Sequence, residues 1–143
     1  MGLIKVLHDK KIFLDTAPLI YFIEEESDYL PQLNYLFSTS NNCKFATSVI
    51  TLSEVLVMPL REGKMQLAEQ YIEILTKSEN MEFLDINIEI AKETAKIRAK
   101  YSIRTPDAIQ LAAAKYSLSD YFLTNDIRLK SFKELNILVL SDL

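Results

Sequence analysis

Ile12-Phe13-Leu14-Asp15-Thr16-Ala17-Pro18 sets the pattern from which the rest of the chain is read. Three apolar residues make a short buried strand, a carboxylate ends it, and a proline suited to a first turn opens a helix over Pro18–Glu24. The arrangement recurs along the chain. Lys44–Thr47 leads through the turn Ser48 to Thr51 into a helix over Leu52–Met58 that carries Glu54, and Tyr121–Leu123 leads through Thr124-Asn125 to Asp126 and a short turn near Ile127–Phe132. Further strands are expected at Met81–Leu84 and Ile137–Leu140, and further helices at Tyr29–Thr39, Lys64–Thr76, Ile88–Tyr101 and Pro106–Tyr116. Pro59 is expected to stop the helix before it. Strands alternating with helices imply an α/β fold, with a mostly parallel sheet covered on both faces.

In such a sheet, ligands bind outside the carboxyl ends of the strands. Asp15, Glu54, Asp107 and Asp126 all fall where a strand or turn gives way to a helix, so four distant stretches deliver acid to one place. Each has an ordinary reading. Thr51-Leu52-Ser53-Glu54 fits a capping box, Asp107 suits the positive end of a helix dipole, and Asp15 and Asp126 could cap helices or make Asx turns. A cap can equally be Ser, Thr or Asn, whereas all four of these positions carry full charge. Like charges about 4 Å apart repel by about 4 kcal/mol per pair at an effective dielectric near 20, so the set needs protons or cations to hold it together. Carboxylate oxygens suit hard divalent ions, Mg²⁺ or Mn²⁺.

The inventory of residues narrows the chemistry. With 143 residues the chain is read as one domain, and its lone Cys43 excludes an intrachain disulfide and fits a small buried hydrophobe in a reducing cytosol. His8 is the only histidine, so neither a two-histidine ribonuclease nor a Ser-His-Asp triad is available within one chain, and a G-x-S-x-G elbow is missing too. Two glycines leave no P-loop or dinucleotide-binding loop. Met1 to Leu7 is too poor in apolar residues for a signal peptide, and no segment is long enough to span a membrane, so the chain is expected to be cytoplasmic. The net charge of −4 argues weakly against a nucleic-acid substrate, since clustered carboxylates neutralised by metal would leave the rest nearly balanced. A haloacid-dehalogenase reading of Phe13-Leu14-Asp15-Thr16-Ala17 fails because Ala17 stands where the second aspartate is needed.

Four segments, in order, carry a family resemblance: Phe13-Leu14-Asp15-Thr16-Ala17-Pro18-Leu19-Ile20, Thr51-Leu52-Ser53-Glu54-Val55-Leu56, Arg104-Thr105-Pro106-Asp107-Ala108-Ile109-Gln110-Leu111, and Phe122-Leu123-Thr124-Asn125-Asp126. The set resembles PIN domains, and among them the VapC-type ribonuclease toxins of toxin–antitoxin pairs. The resemblance spans nearly the whole chain. It implies a single PIN-like domain over residues 1–143, a twisted sheet of about five strands between helices, a homodimer, and Mg²⁺- or Mn²⁺-dependent cleavage of single-stranded or loop RNA. It also implies a cognate VapB-like antitoxin that lies across the site. By the resemblance Asp15 and Asp107 are the most direct metal ligands, Glu54 and Asp126 act directly or through water, and Thr16 and Thr124 support them.

Hydrolysis by metal-activated water would leave a 5′-phosphate and a 3′-hydroxyl. Arg61, Lys64 and Arg104 are the candidate substrate-binding cations, by their nearness in sequence to the acids. Lys92, Lys96 and Lys100 are read as a solvated helix face with local ion pairs. Tyr21, Phe22, Tyr35 and Phe37 are read as core or interface residues and not as base-stacking platforms. The alternative function is a PIN-like module, catalytically silent or working in RNA processing, that acts through RNA or protein binding.

Overall fold

Alternation of side chains about a short apolar run builds the sheet and assigns its two faces. In the computed structural model, which describes residues 6–38 and 41–143, β1 is Lys11–Leu14, with Ile12 and Leu14 facing one layer of helices and Phe13 facing the other. The N-terminal segment read against a signal peptide falls largely outside the described residues, as does Thr39, the expected end of the second helix. The elements that follow are α1 (Thr16–Ile23), α2 (Leu30–Leu36), β2 (Lys44–Ser48), α3 (Val49–Arg61), α4 (Met65–Lys77) and β3 (Met81–Leu84). After them come α5 (Ile88–Lys100), α6 (Thr105–Tyr116), β4 (Tyr121–Thr124), a 3-10 turn (Ile127–Ser131), β5 (Asn136–Val139) and a last 3-10 turn (Leu140–Asp142).

All four strand pairings are parallel, in the order β3-β2-β1-β4-β5. The chain builds outward from β1 in one direction and then restarts beside β1 with β4. That reversal leaves a crevice at the carboxyl ends of β1 and β4. Leu19, Leu33, Leu36, Val55, Tyr71 and Leu75 from α1 to α4 close one face, while Ile90, Ile97, Ala108, Leu111, Leu129 and Phe132 close the other. Across the sheet Phe13 stacks on its register partner Phe122 with centroids 5.5 Å apart. Tyr21 stacks on Tyr29, and Phe22, Phe37 and Phe45 pack ring to ring, so these aromatics are engaged within the chain. Cys43 is buried and donates to the Leu7 carbonyl. Among the described residues no helix is long and apolar enough to cross a membrane.

Two boundaries differ from the sequence reading for physical reasons. Ser48 is the N-cap of α3, its hydroxyl accepting from the Ile50 amide, so the helix starts at Val49 and no capping box forms between Thr51 and Glu54. Pro59 does not stop the helix. It lies near the end, where one backbone bond is lost and the helix runs on to Arg61; Glu62 caps it, and Gly63 just beyond, with φ of +71°, lets the Lys64 amide reach back to the Pro59 carbonyl. His8 lies in an exposed turn beside Asp9.

Candidate active site

Asp15 is where β1 becomes α1, and it does two things there. One carboxylate oxygen accepts from the Thr16 amide at 2.8 Å, capping the helix, and the other accepts from the Thr124 hydroxyl at 2.7 Å across the junction with β4. Thr124 is fully buried, and its hydroxyl oxygen in turn accepts from the Asp126 amide at 3.1 Å. One hydroxyl therefore links the first acid to the fourth. From the other side the Thr16 hydroxyl donates to Glu54 on α3.

A buried polar network fixes the elements that carry the acids. The Thr47 hydroxyl donates at 2.8 Å to the carbonyl of Leu14, the residue before Asp15, and stands 2.8 Å from the Thr51 hydroxyl one turn before Glu54. Gln110, one turn beyond Asp107 on α6, donates to Thr51 and accepts from Ser48. Its amide thereby ties α6 to the β2–α3 junction inside an otherwise apolar layer. In the sequence the only mark of this role is an amide within the apolar run Ala108-Ile109-Gln110-Leu111.

Charge in the crevice is uneven. Burial raises the Asp15 carboxyl to a pKa of about 6; the negative charges of Asp107 and Glu54 add to that rise, against the lowering hydrogen bonds from Thr124 and Thr16. The other end is neutralised by arginine. Arg128 grips Asp126 with its Nε 2.9 Å from Oδ1 and its Nη2 2.8 Å from Oδ2, which holds the Asp126 carboxyl below the usual carboxylate range, with the Arg128 amide also donating. Arg104 Nη2 lies 3.4 Å from Asp107 Oδ2. Arg128 was missed by the sequence reading, because only the bend after Asp126 turns a side chain two positions later back onto it.

The donor set is all oxygen, which fits a hard divalent cation in kind. In position, the described residues hold no group of three Asp, Glu, His or Cys spaced to take an ion, and two of the four acids are turned to guanidinium groups. Of the candidate cations, Arg104 stands at the acids, whereas Arg61 meets Met58 and Lys64 meets Glu62 around the α3–α4 corner. Seven residues separate Arg61 from Glu54, about 10 Å along a helix axis. Lys92 pairs with Glu89 and Lys100 with Glu134, in keeping with a solvated face.

Residues 12–135 match the PIN domain family. No curated protein sequence matches the chain. Among solved structures, VapBC2 from Rickettsia felis, bound to a DNA fragment from its promoter, is 19% identical with a TM-score of 0.71, over 90% of this chain and 98% of that one. A toxin–antitoxin complex from Klebsiella pneumoniae is 22% identical with a TM-score of 0.68, over 90% and 97%. VapC20 from Mycobacterium tuberculosis, a toxin that cleaves the sarcin-ricin loop, is 14% identical with a TM-score of 0.64, over 78% and 86%.

Proposed function

We propose, because this chain belongs to the PIN domain family, that it is a metal-dependent endoribonuclease acting as the toxin of a VapBC-like toxin–antitoxin pair. The observation that supports this most is the convergence on Asp15: a half-buried carboxyl at the sheet's reversal point, raised to about 6 by burial and by the charges of Asp107 and Glu54. A divalent cation bound beside it would favour the charged carboxylate over the protonated one. The structural neighbours, among them a toxin that cleaves the sarcin-ricin loop, support the choice of RNA and of an antitoxin partner.

In this reading Asp15 and Asp107 hold Mg²⁺ or Mn²⁺, with Glu54 and Asp126 acting directly or through water. The bound ion supplies electrophilic stabilisation of phosphoryl charge and an acidified water for in-line hydrolysis, leaving 5′-phosphate and 3′-hydroxyl ends. Thr124 keeps one oxygen of Asp15 turned toward β4, and Thr16 orients Glu54. The Thr47–Thr51–Gln110 network keeps the acid-bearing elements in register and takes no part in the chemistry. An antitoxin segment bearing Arg would bridge the same carboxylates bidentately and compete with the ion. A second copy of the chain is proposed to cover the α3–α4 corner, where Val57, Met58, Leu60 and Met65 are each about half exposed.

The test is incubation of cellular RNA with the protein and Mn²⁺ or Mg²⁺, with the ends mapped. Expected are discrete cuts carrying 5′-phosphate that vanish in chelator and in Asp15→Asn and Asp107→Asn, while the melting temperature of the metal-free protein stays level or rises. Cyclic phosphate ends, or variants that cut at near wild-type rates, would remove the metal-site roles. The Arg104 and Arg128 ion pairs favour the binding-module reading if they withstand saturating Mn²⁺, which would show as a melting temperature that no divalent ion moves.

A further inference from the structure

We propose that Arg104 and Arg128 are exchangeable counter-ions of the acidic edge: they neutralise Asp107 and Asp126 while no divalent ion is bound, and pass to the phosphates of single-stranded RNA once an ion takes those carboxylates. The proposal rests on the nuclease reading above and adds residues that hold the substrate.

Two of the chain's four arginines stand at this edge, each paired with one of the acids. Both side chains are about three-quarters exposed, at 73% and 75%, so each head group reaches solvent and can leave its carboxylate without unpacking the core. Exposed ion pairs are weak, and a doubly charged ion competes with them readily. Between the pairs lies a small cavity of about 70 Å³ lined by Ser102, Arg104, Asp107, Asp126, Arg128 and Leu129. That is room for about two waters, so the pairs do not close against one another. The planar fork that grips Asp126 bidentately has the same match to a phosphate. With the carboxylates engaged by a cation, a guanidinium next to them loses most of the negative charge that holds it. A phosphodiester passing the acids is the anion best placed to take it.

The experiment uses Arg104→Gln, Arg128→Gln and the double variant of the full chain, each first melted in chelator to establish folding. In the first arm the rise in melting temperature is followed against Mn²⁺ concentration. The double variant is expected to reach its midpoint at several-fold lower Mn²⁺, because the competing cations are gone. In the second arm, fluorescence anisotropy reads binding of a short phosphorothioate single-stranded RNA, whose linkages resist hydrolysis. With saturating Mn²⁺ the double variant is expected to bind several-fold more weakly, its log affinity falling less steeply with log salt by about 0.7 per arginine. In chelator, affinities of variant and wild type are expected to agree within about twofold. An unchanged Mn²⁺ midpoint overturns the exchange, and so does unchanged RNA affinity in Mn²⁺. A wild type that passes both arms but cuts no RNA overturns the nuclease reading and leaves the exchange standing. A wild type that binds no RNA in Mn²⁺ removes both.

Discussion

Asp15 holds its proton far more strongly than an ordinary aspartate, and this has a measurable sign. Its folded pKa of about 6 lies above the unfolded value of 3.8, so the native state binds the extra proton between those limits. The associated stability is fully present below the unfolded pKa and is lost as pH rises through 6. A shift of this size corresponds to about 3 kcal/mol. Asn at position 15 can keep the cap to the Thr16 amide and carries no charge, so Asp15→Asn is expected to match the wild type near pH 4 and to melt at least about 5 °C higher near pH 7, both in chelator. Equal gaps at the two pH values would refute the raised carboxyl. Asp126 behaves in the opposite sense. Held low by Arg128, it contributes stability above the unfolded pKa that fades as pH falls through its folded value, and its exposure keeps that contribution small.

Between elements, the acids depend on hydrogen bonds that are themselves far from solvent. Thr47, Ser48, Thr51 and Gln110 are all nearly or wholly buried, and each has a partner among the others. Thr51→Val keeps the volume but leaves the Gln110 amide and the Thr47 hydroxyl short of a partner, which costs about 1–3 kcal/mol. We expect it to lower the urea midpoint by that amount and to reduce RNA cleavage beyond the loss from unfolding, since it loosens α3 and α6 together. Cleavage that falls only in step with the unfolded fraction would make the network purely structural. The same elements show why local reading of helix ends was only partly right. Thr51-Leu52-Ser53-Glu54 has the letters of a capping box, yet Ser48, three residues earlier, wins the cap because β2 ends there and its extended backbone hands the chain directly to α3. Pro59 likewise sits late enough in α3 that one missing donor does not end the helix.

For the molecule as a whole, apolar surface left uncovered is the feature to test. Val57, Met58, Leu60 and Met65 are 46% to 56% exposed around one helical corner, whereas Tyr21, Phe22, Tyr29 and Phe37 are partly buried against the core and stack on rings of the same chain. We place the proposed dimer contact at the α3–α4 corner for this reason. Light scattering across a concentration series is expected to show a dimer at tens of micromolar, with Met58→Lys monomeric at the same concentrations and folded by its melting curve. A wild type that stays monomeric throughout would remove the dimer.

The sequence by itself determined the alternation of strands and helices, the parallel α/β class and the placing of four acids near strand-to-helix junctions, because each is written locally: short continuous apolar runs, first-turn prolines, and carboxylates where a strand or turn gives way to a helix. It even supplied the hydroxyls of Thr16 and Thr124, which the fold turns onto Glu54 and Asp15. Only the tertiary structure decided that β4 lies beside β1, which brings Asp126 and Thr124 to Asp15 across more than a hundred residues. It also decided that Gln110 meets Thr51, and that Arg128 closes on Asp126 while Arg61 and Lys64 stay at the far end of α3. Strand order and the partner of each charge are set by which faces can be buried together, a non-local balance that no short stretch of residues encodes.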